Sequence, residues 1–202
     1  KNAFDLRSRV NTFLHVSNTA SARRNGVLLC VNGTGILNSW LRKNLTSGGQ
    51  VYDYAQMNEV AQKAPIGSGG LAFLPFGNGA ERVLENKSIQ SSIHGLDFNH
   101  HSQAHLLRAA QEGIVFALKY GFDILHEMGI KSTVIRAGYA NMFLSPLFRE
   151  AFVNTTGAKL ELYDTDGAKG AALGAGIGMG AYASASQAFQ GLHVIETRYP
   201  ES

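Results

Sequence analysis

The sequence predicts an α/β domain built on a partly parallel sheet. Three observations carry that reading. Short β-branched and aromatic runs alternate with segments whose apolar residues recur every three or four positions. Two of those runs end in small-residue turns that lead into a helical pattern, Asn32-Gly33-Thr34-Gly35 and Ala137-Gly138-Tyr139-Ala140-Asn141. The chain has 202 residues, 45% of them hydrophobic, enough for one large domain or two small ones with a buried core.

Taken in order, "RVNTFLHV" and "NGVLLCVNG" read as two strands of a hairpin, joined by a polar loop over residues 17–25. Cys30, inside the apolar run, reads as a small core residue. From Thr34 the spacing turns helical, with Ile36, Leu37, Trp40 and Leu41 on one side and Thr34 as the cap. A second helix, "YDYAQMNEVAQKA", ends before Pro65, and "IGSGG" leads into the strand "LAFLPF". Residues 76–99, rich in Gly, Asn and Ser, predict irregular structure.

A long helix follows, over about residues 101–128, and Gly129 stops it. Then come the strand "STVIRA", the helix "SPLFREAFVNTTG" with Ser145 as cap and Pro146 in its first turn, and the strand "AKLELYD". "GAKGAALGAGIGMGAYASASQAF" reads as one final helix of small residues, with Gly170, Gly174 and Gly178 four apart. Glycine costs a helix about 1 kcal/mol per residue against alanine, so close packing on the sheet or a neighbouring helix is expected to compensate. The alternative, functional reading is that the start of this helix, after Asp166-Gly167, borders the same cleft as the two small-residue turns.

Composition excludes several classes. Charged residues make up 16% of the chain and the formal net charge is +3, with no Lys/Arg block to follow a phosphate backbone, so nucleic acid is not an expected partner. No segment reaches the roughly 18 apolar residues of a membrane helix, and "KNAFDLRSRV" has no apolar signal core. One cysteine cannot form an internal disulfide, which points to a reducing, cytoplasmic setting. The first residue is not methionine and residues 10–16 already read as a strand, so the expectation is a piece of something longer.

Candidate sites sit at the turns. Ligands on α/β sheets bind outside the carboxyl ends of strands, and both turns occupy that position. Small residues there let a flat ligand or a phosphate approach the backbone, and the helix that follows presents free amide donors. Neither turn contains GxGxxG or GxxxxGK[ST]. His94, His100, His101 and His105 suggest a metal, but without HExxH they read as solvated residues at the start of a helix. Glu112, on the apolar-rich long helix, reads as a buried acid hydrogen-bonded to a loop. The Asn-x-Thr triplets at Asn44 and Asn154 fit a glycosylation pattern in form only.

The stretch "FLPFGNGAERVLENKSIQSSIHGLDFNHHSQAHLLRAAQEGIVFAL" resembles the C-terminal domain of the FGGY carbohydrate kinases. Pro75-Phe76, Glu81-Arg82, Gly95-Leu96, Arg108-Ala109 and Glu112-Gly113 occupy the places of that family's pattern, with one departure at Gln111, where an apolar residue is usual. "RVNTFLHV", "NGTGILNSWLR" and "GAKGAALGAG" look closest to the xylulokinase branch, and the likeness covers nearly all 202 residues.

The resemblance implies an actin-like, ribonuclease H-like ATPase domain with a mixed sheet flanked by helices. It implies an ATP-dependent sugar kinase using ATP and Mg²⁺, with D-xylulose as the expected substrate. Ribulose, gluconate, glycerol or fuculose kinases share most of the pattern. The whole chain then corresponds to the nucleotide-side domain, without the N-terminal domain that binds most of the sugar and supplies the catalytic aspartate. The chain alone is expected not to turn over.

Gly138 and Asn141 match the family's adenosine-binding Gly-Gly-x-x-x-Asn element, with Ala137 in place of its first glycine. Gly35, together with Gly33 and Ser39, corresponds to the opposite wall. Homodimers through this domain are common in the family. A different class also fits the residues: a non-catalytic regulatory or sugar-sensing module whose nucleotide site has drifted.

Overall fold

The structure is a computed structural model that describes residues 4–15, 17–47 and 49–201. A hairpin of β1 (Asn11–Leu14) and β2 (Asn25–Leu28) opens it, paired antiparallel. Val16, read from the sequence as part of the first strand, lies outside the described residues. Helix α1 (Thr34–Asn44) follows, then the two-residue strands β3 (Thr46–Ser47) and β4 (Gln50–Val51), and α2 (Tyr54–Ala61). Asp53 caps α2 by accepting from the Gln56 amide while the Gln56 side chain accepts from the Asp53 amide, a reciprocal capping box. Strands β3 and β4 pair antiparallel, and β5 (Ala72–Leu74) and β6 (Ser92–His94) form a further antiparallel pair across the irregular stretch.

The 25-residue helix α3 (Gln103–Glu127) organises the interior. Its buried Leu107, Ala110, Ile114 and Val115 meet Leu37 and Leu41 of α1, Met57 of α2 and Phe73 of β5. On its other flank lies α4 (Pro146–Thr156), where Phe148 and Phe152 stack and Phe143 meets both rings edge-on. Burying each such side chain contributes about 1.5–3 kcal/mol, so α3 is the element the others fold onto. A smaller cluster of Val10, Val83 and Ile124 anchors the first hairpin to the far end of α3.

The main sheet has three strands in the order β7 (Val134–Gly138), β8 (Lys159–Tyr163), β9 (Val194–Arg198). β7 and β8 are parallel, joined through α4, and β9 runs antiparallel to β8. Parallel neighbours need a crossover element, and α4 supplies it, capped by the Ser145 hydroxyl at the Phe148 amide. After β8 come α5 (Gly167–Gly178) and the short α6 (Ala185–Phe189).

Four expectations are corrected. Cys30 is exposed, because it lies beyond the paired part of β2 where the chain leaves the hairpin. Thr34 is the first helical residue of α1 and makes no cap; Gly33 holds that position. The final small-residue helix is two helices, broken where Gly180 turns to a φ of 80°. Its glycines are not a packing seam among the described residues: a methyl at Gly170, Gly174 or Gly178 would meet nothing within 4 Å, and Gly176 alone is covered, by the Tyr182 ring.

Candidate nucleotide cleft

The turn before α1 is built around a buried carboxylate. Glu81 is fully buried and accepts from the backbone amides of Asn32 (2.9 Å) and Gly33 (3.0 Å). It is held in a tight loop in which its own amide donates to the Lys87 carbonyl and its carbonyl accepts from Asn86. The Asn32 side-chain amide adds a bond to the Ala80 carbonyl. The carboxylate therefore satisfies the amide of the N-cap residue, one of the donors a helix start leaves open, and that of the residue before it. A side chain at Gly33 would collide with the Pro75 carbonyl, so this glycine is spent on the neighbouring loop. Gly35, one residue into α1, faces open space.

The second turn follows β7. Ala137 sits in the strand opposite Leu162, in extended backbone that accepts its methyl, and Gly138 is opposite Tyr163. Any Cβ at Gly138 would strike the Thr165 carbonyl, so two strand-to-helix turns touch here. Asn141 takes a left-handed φ of 52°, a conformation asparagine tolerates better than most residues, and opens a 3₁₀ turn over Asn141–Leu144. Arg149 of α4 ties that turn down by donating to the carbonyls of Phe143 (2.7 Å) and Leu144 (3.3 Å), with its guanidinium 5.5 Å from the Tyr139 ring centre. The third turn, Thr165-Asp166-Gly167, ends in Asp166, whose carboxylate caps α5 at the Lys169 amide (2.9 Å).

These turns meet around a cleft of about 670 Å³. Gly35, Ala137, Gly138, Asn141 and the Thr165 to Gly167 turn line its rim, and Ile114, Leu118, Phe143 and Phe148 form an apolar floor. A smaller space of about 260 Å³ shares Gly35, Asn141 and Met142 with it and is otherwise lined by Asn38, Tyr54, Asn58, Leu144 and Ser145. Four of the six sequence-predicted residues are therefore together. Gly33 lies behind the rim, and Ser39, one turn along α1 from Gly35, lines neither space. Sequence reasoning assigned no role to Glu81 at the first turn, nor to Asn58 and Tyr54 in the smaller space. The Glu81-Arg82 motif was a signal for the first; the others become neighbours of the cleft through tertiary packing alone.

Glu112 is where the sequence placed it, in a structural role. It accepts from the Gly67 amide, the Ser68 hydroxyl and Arg108 Nε (2.7 Å), pinning the loop before β5 to α3. Of the histidines, His100 pairs with Asp97, and His101 reaches the Gly69 carbonyl and packs edge-on to His105. No group of three or more metal-binding side chains occurs among the described residues. No helix among them is long and apolar enough to cross a membrane.

Small-residue turns converging on one cleft beside the sheet place the chain in the class of α/β domains that bind ligands at strand ends. Residues 15–184 match the model of the FGGY family of carbohydrate kinases, C-terminal domain, and the chain belongs to that family. It is 42% identical over 84 residues to the xylulose kinase of Haemophilus influenzae, covering 42% of this chain and 17% of that protein. It is 30% identical over 152 residues to the xylulose kinase of Bacillus subtilis, covering 74% and 30%.

Among solved structures, the xylulose kinase from Rhodospirillum rubrum superposes with a TM-score of 0.72 at 22% identity, over 96% of this chain and 38% of that one. Plasmodium falciparum glycerol kinase with ADP superposes at 0.78 and 21% identity, over all of this chain and 39% of that one. The fold is thus that of the FGGY sugar kinases, with actin-like ATPase architecture. The chain spans less than two fifths of the length of each of these relatives.

Proposed function

We propose that this chain forms the nucleotide side of an ATP-dependent carbohydrate kinase that converts D-xylulose to xylulose 5-phosphate. The observation that carries the reading is the convergence of Gly35, the Ala137-to-Asn141 turn and the start of α5 on one cleft with an apolar floor. The adenosine of ATP lies between Gly35 and Asn141, where open backbone on one side faces a polar side chain on the other. The family membership and the xylulose kinases at 42% and 30% identity support both the reaction and the sugar.

Phosphoryl transfer asks the protein mainly for positioning and for charge stabilisation around the γ-phosphate. This chain contributes to the positioning: Glu81 and Arg149 hold the two walls of the cleft from behind through backbone hydrogen bonds. Mg²⁺ would arrive on the nucleotide, neutralising its phosphate charge and keeping much of its water. Asp166, the carboxylate on the rim, is the group here suited to accept from those waters.

The base that takes the proton from the sugar hydroxyl, and most of the sugar contacts, are assigned outside these 202 residues. An exposed, unpaired Cys30 fits a reducing, cytoplasmic setting.

The test is ATP-dependent phosphorylation across a panel of D-xylulose, L-xylulose, D-ribulose, gluconate and glycerol by the protein that carries this domain. The highest kcat/KM is expected for D-xylulose. A higher value for another sugar would reassign the substrate, and no turnover of any sugar would favour a regulatory module. The 202-residue chain by itself should give no product above a buffer blank.

A further inference from the structure

Gln111 stands among the buried, mostly apolar residues of α3, and it is 1% exposed. A buried primary amide is costly unless both its ends are bonded. Both are. Its Oε1 accepts from the Ser145 hydroxyl (2.7 Å) and its Nε2 donates to Asn58 Oδ1 (2.9 Å).

The three side chains form a relay: Ser145 Oγ accepts from the Phe148 amide and donates to Gln111 Oε1, and the Gln111 nitrogen donates to Asn58. Asn58 must answer with its oxygen. That leaves its amide nitrogen as the group to offer a ligand. Asn58 and Ser145 both line the smaller space and not the main cleft, with which it shares Gly35 and Asn141.

We propose that Gln111 is a positioning residue for base recognition: it orients Asn58 so that an N–H donor meets the ring-nitrogen edge of a purine in the smaller space. The proposal rests on the nucleotide reading given above. With the adenosine seated between Gly35 and Asn141 and its base turned into the smaller space that these two residues share with Asn58, the purine edge farthest from the glycosidic bond, N1 and C6, is the one that reaches Asn58. Adenine presents an acceptor at N1. Hypoxanthine presents a proton there, which opposes the fixed donor. A leucine at position 111 would fill the same volume but leave the Asn58 amide free to rotate.

The experiment is calorimetric titration of the full chain with ADP and with inosine diphosphate, in wild type, Gln111→Leu and Asn58→Asp. Wild type is expected to prefer ADP by about tenfold, the factor one hydrogen bond of this kind contributes. Gln111→Leu should bring the ratio close to one, and Asn58→Asp, which replaces donor by acceptor, should bring it to one or below. Asn58 lies on the half-exposed face of α2, so that variant serves if Gln111→Leu does not fold. An unchanged ratio in both variants, or equal weakening of both nucleotides, overturns the proposal and leaves the nucleotide reading standing. No binding of either nucleotide by folded wild type overturns both.

Discussion

Glu81 has no exposed surface and holds the first turn through two backbone donors. Removing its oxygens leaves the buried Gly33 amide and the half-buried Asn32 amide unpaired, at roughly 1–3 kcal/mol for the first and less for the second. Glu81→Ala is therefore expected to lower stability by about 2–5 kcal/mol in urea denaturation, and Glu81→Gln by less, since one oxygen remains.

A second residue-scale effect depends on pH. Arg9 donates to Asp5 through Nε (3.1 Å) and Nη2 (2.9 Å) and holds its carboxyl at about 2, against an ordinary 3.8. Because the folded-state value is the lower one, the stabilisation is complete above the unfolded value and disappears as pH falls from about 4 to 2. The urea midpoint of wild type should exceed that of Asp5→Asn near neutrality, and the gap should close over that window. At this scale the sequence singled out some of the residues that matter, missed the role of others such as Glu81 and Asp5, and did not always show why. Gly138 stood out as a small residue at a turn, whereas the reason it is small, contact with the Thr165 carbonyl, depends on a loop 27 positions away.

Elements with local signals were legible. The long helix α3, the Ser145 cap with Pro146 after it, and the first hairpin all follow from spacing and capping rules that act within a few residues. The exposed strand β9, "VIETR", carries no such signal; its pairing with β8 is set by the sheet edge available to it. α5 misled for a related reason, since four-residue glycine steps suggest a seam only if another backbone is there to meet them. Gly174 lies inside this helix with open space around its Cβ and no positive φ. Gly174→Ala is expected to stabilise the domain by about 1 kcal/mol, read as a higher melting temperature. Destabilisation of the same size would mean that a further part of the protein packs on this face.

At the scale of the molecule, the helix α3 holds two turns from distant parts of the sequence so that Gly35 and Asn141 border a shared space. The position of each turn outside a strand end was readable from the chain, and so was their small-residue character. Which of the small residues face the cleft was not, because Gly33 and Gly138 are occupied by carbonyls of neighbouring loops while Gly35 faces open space. That difference selects the probe. A bulky residue at Gly138 would break the fold of the turn, but Gly35→Val adds its side chain to open space on an ordinary helical backbone.

The central claim is tested most directly by titrating wild type and Gly35→Val with ADP and Mg²⁺ in a calorimeter, after matching melting curves have shown both to be folded. The account predicts saturable binding at one site per chain, weakened at least about tenfold by the valine, a loss of about 1.4 kcal/mol or more. Equal binding by the two proteins would place the nucleotide elsewhere and contradict it.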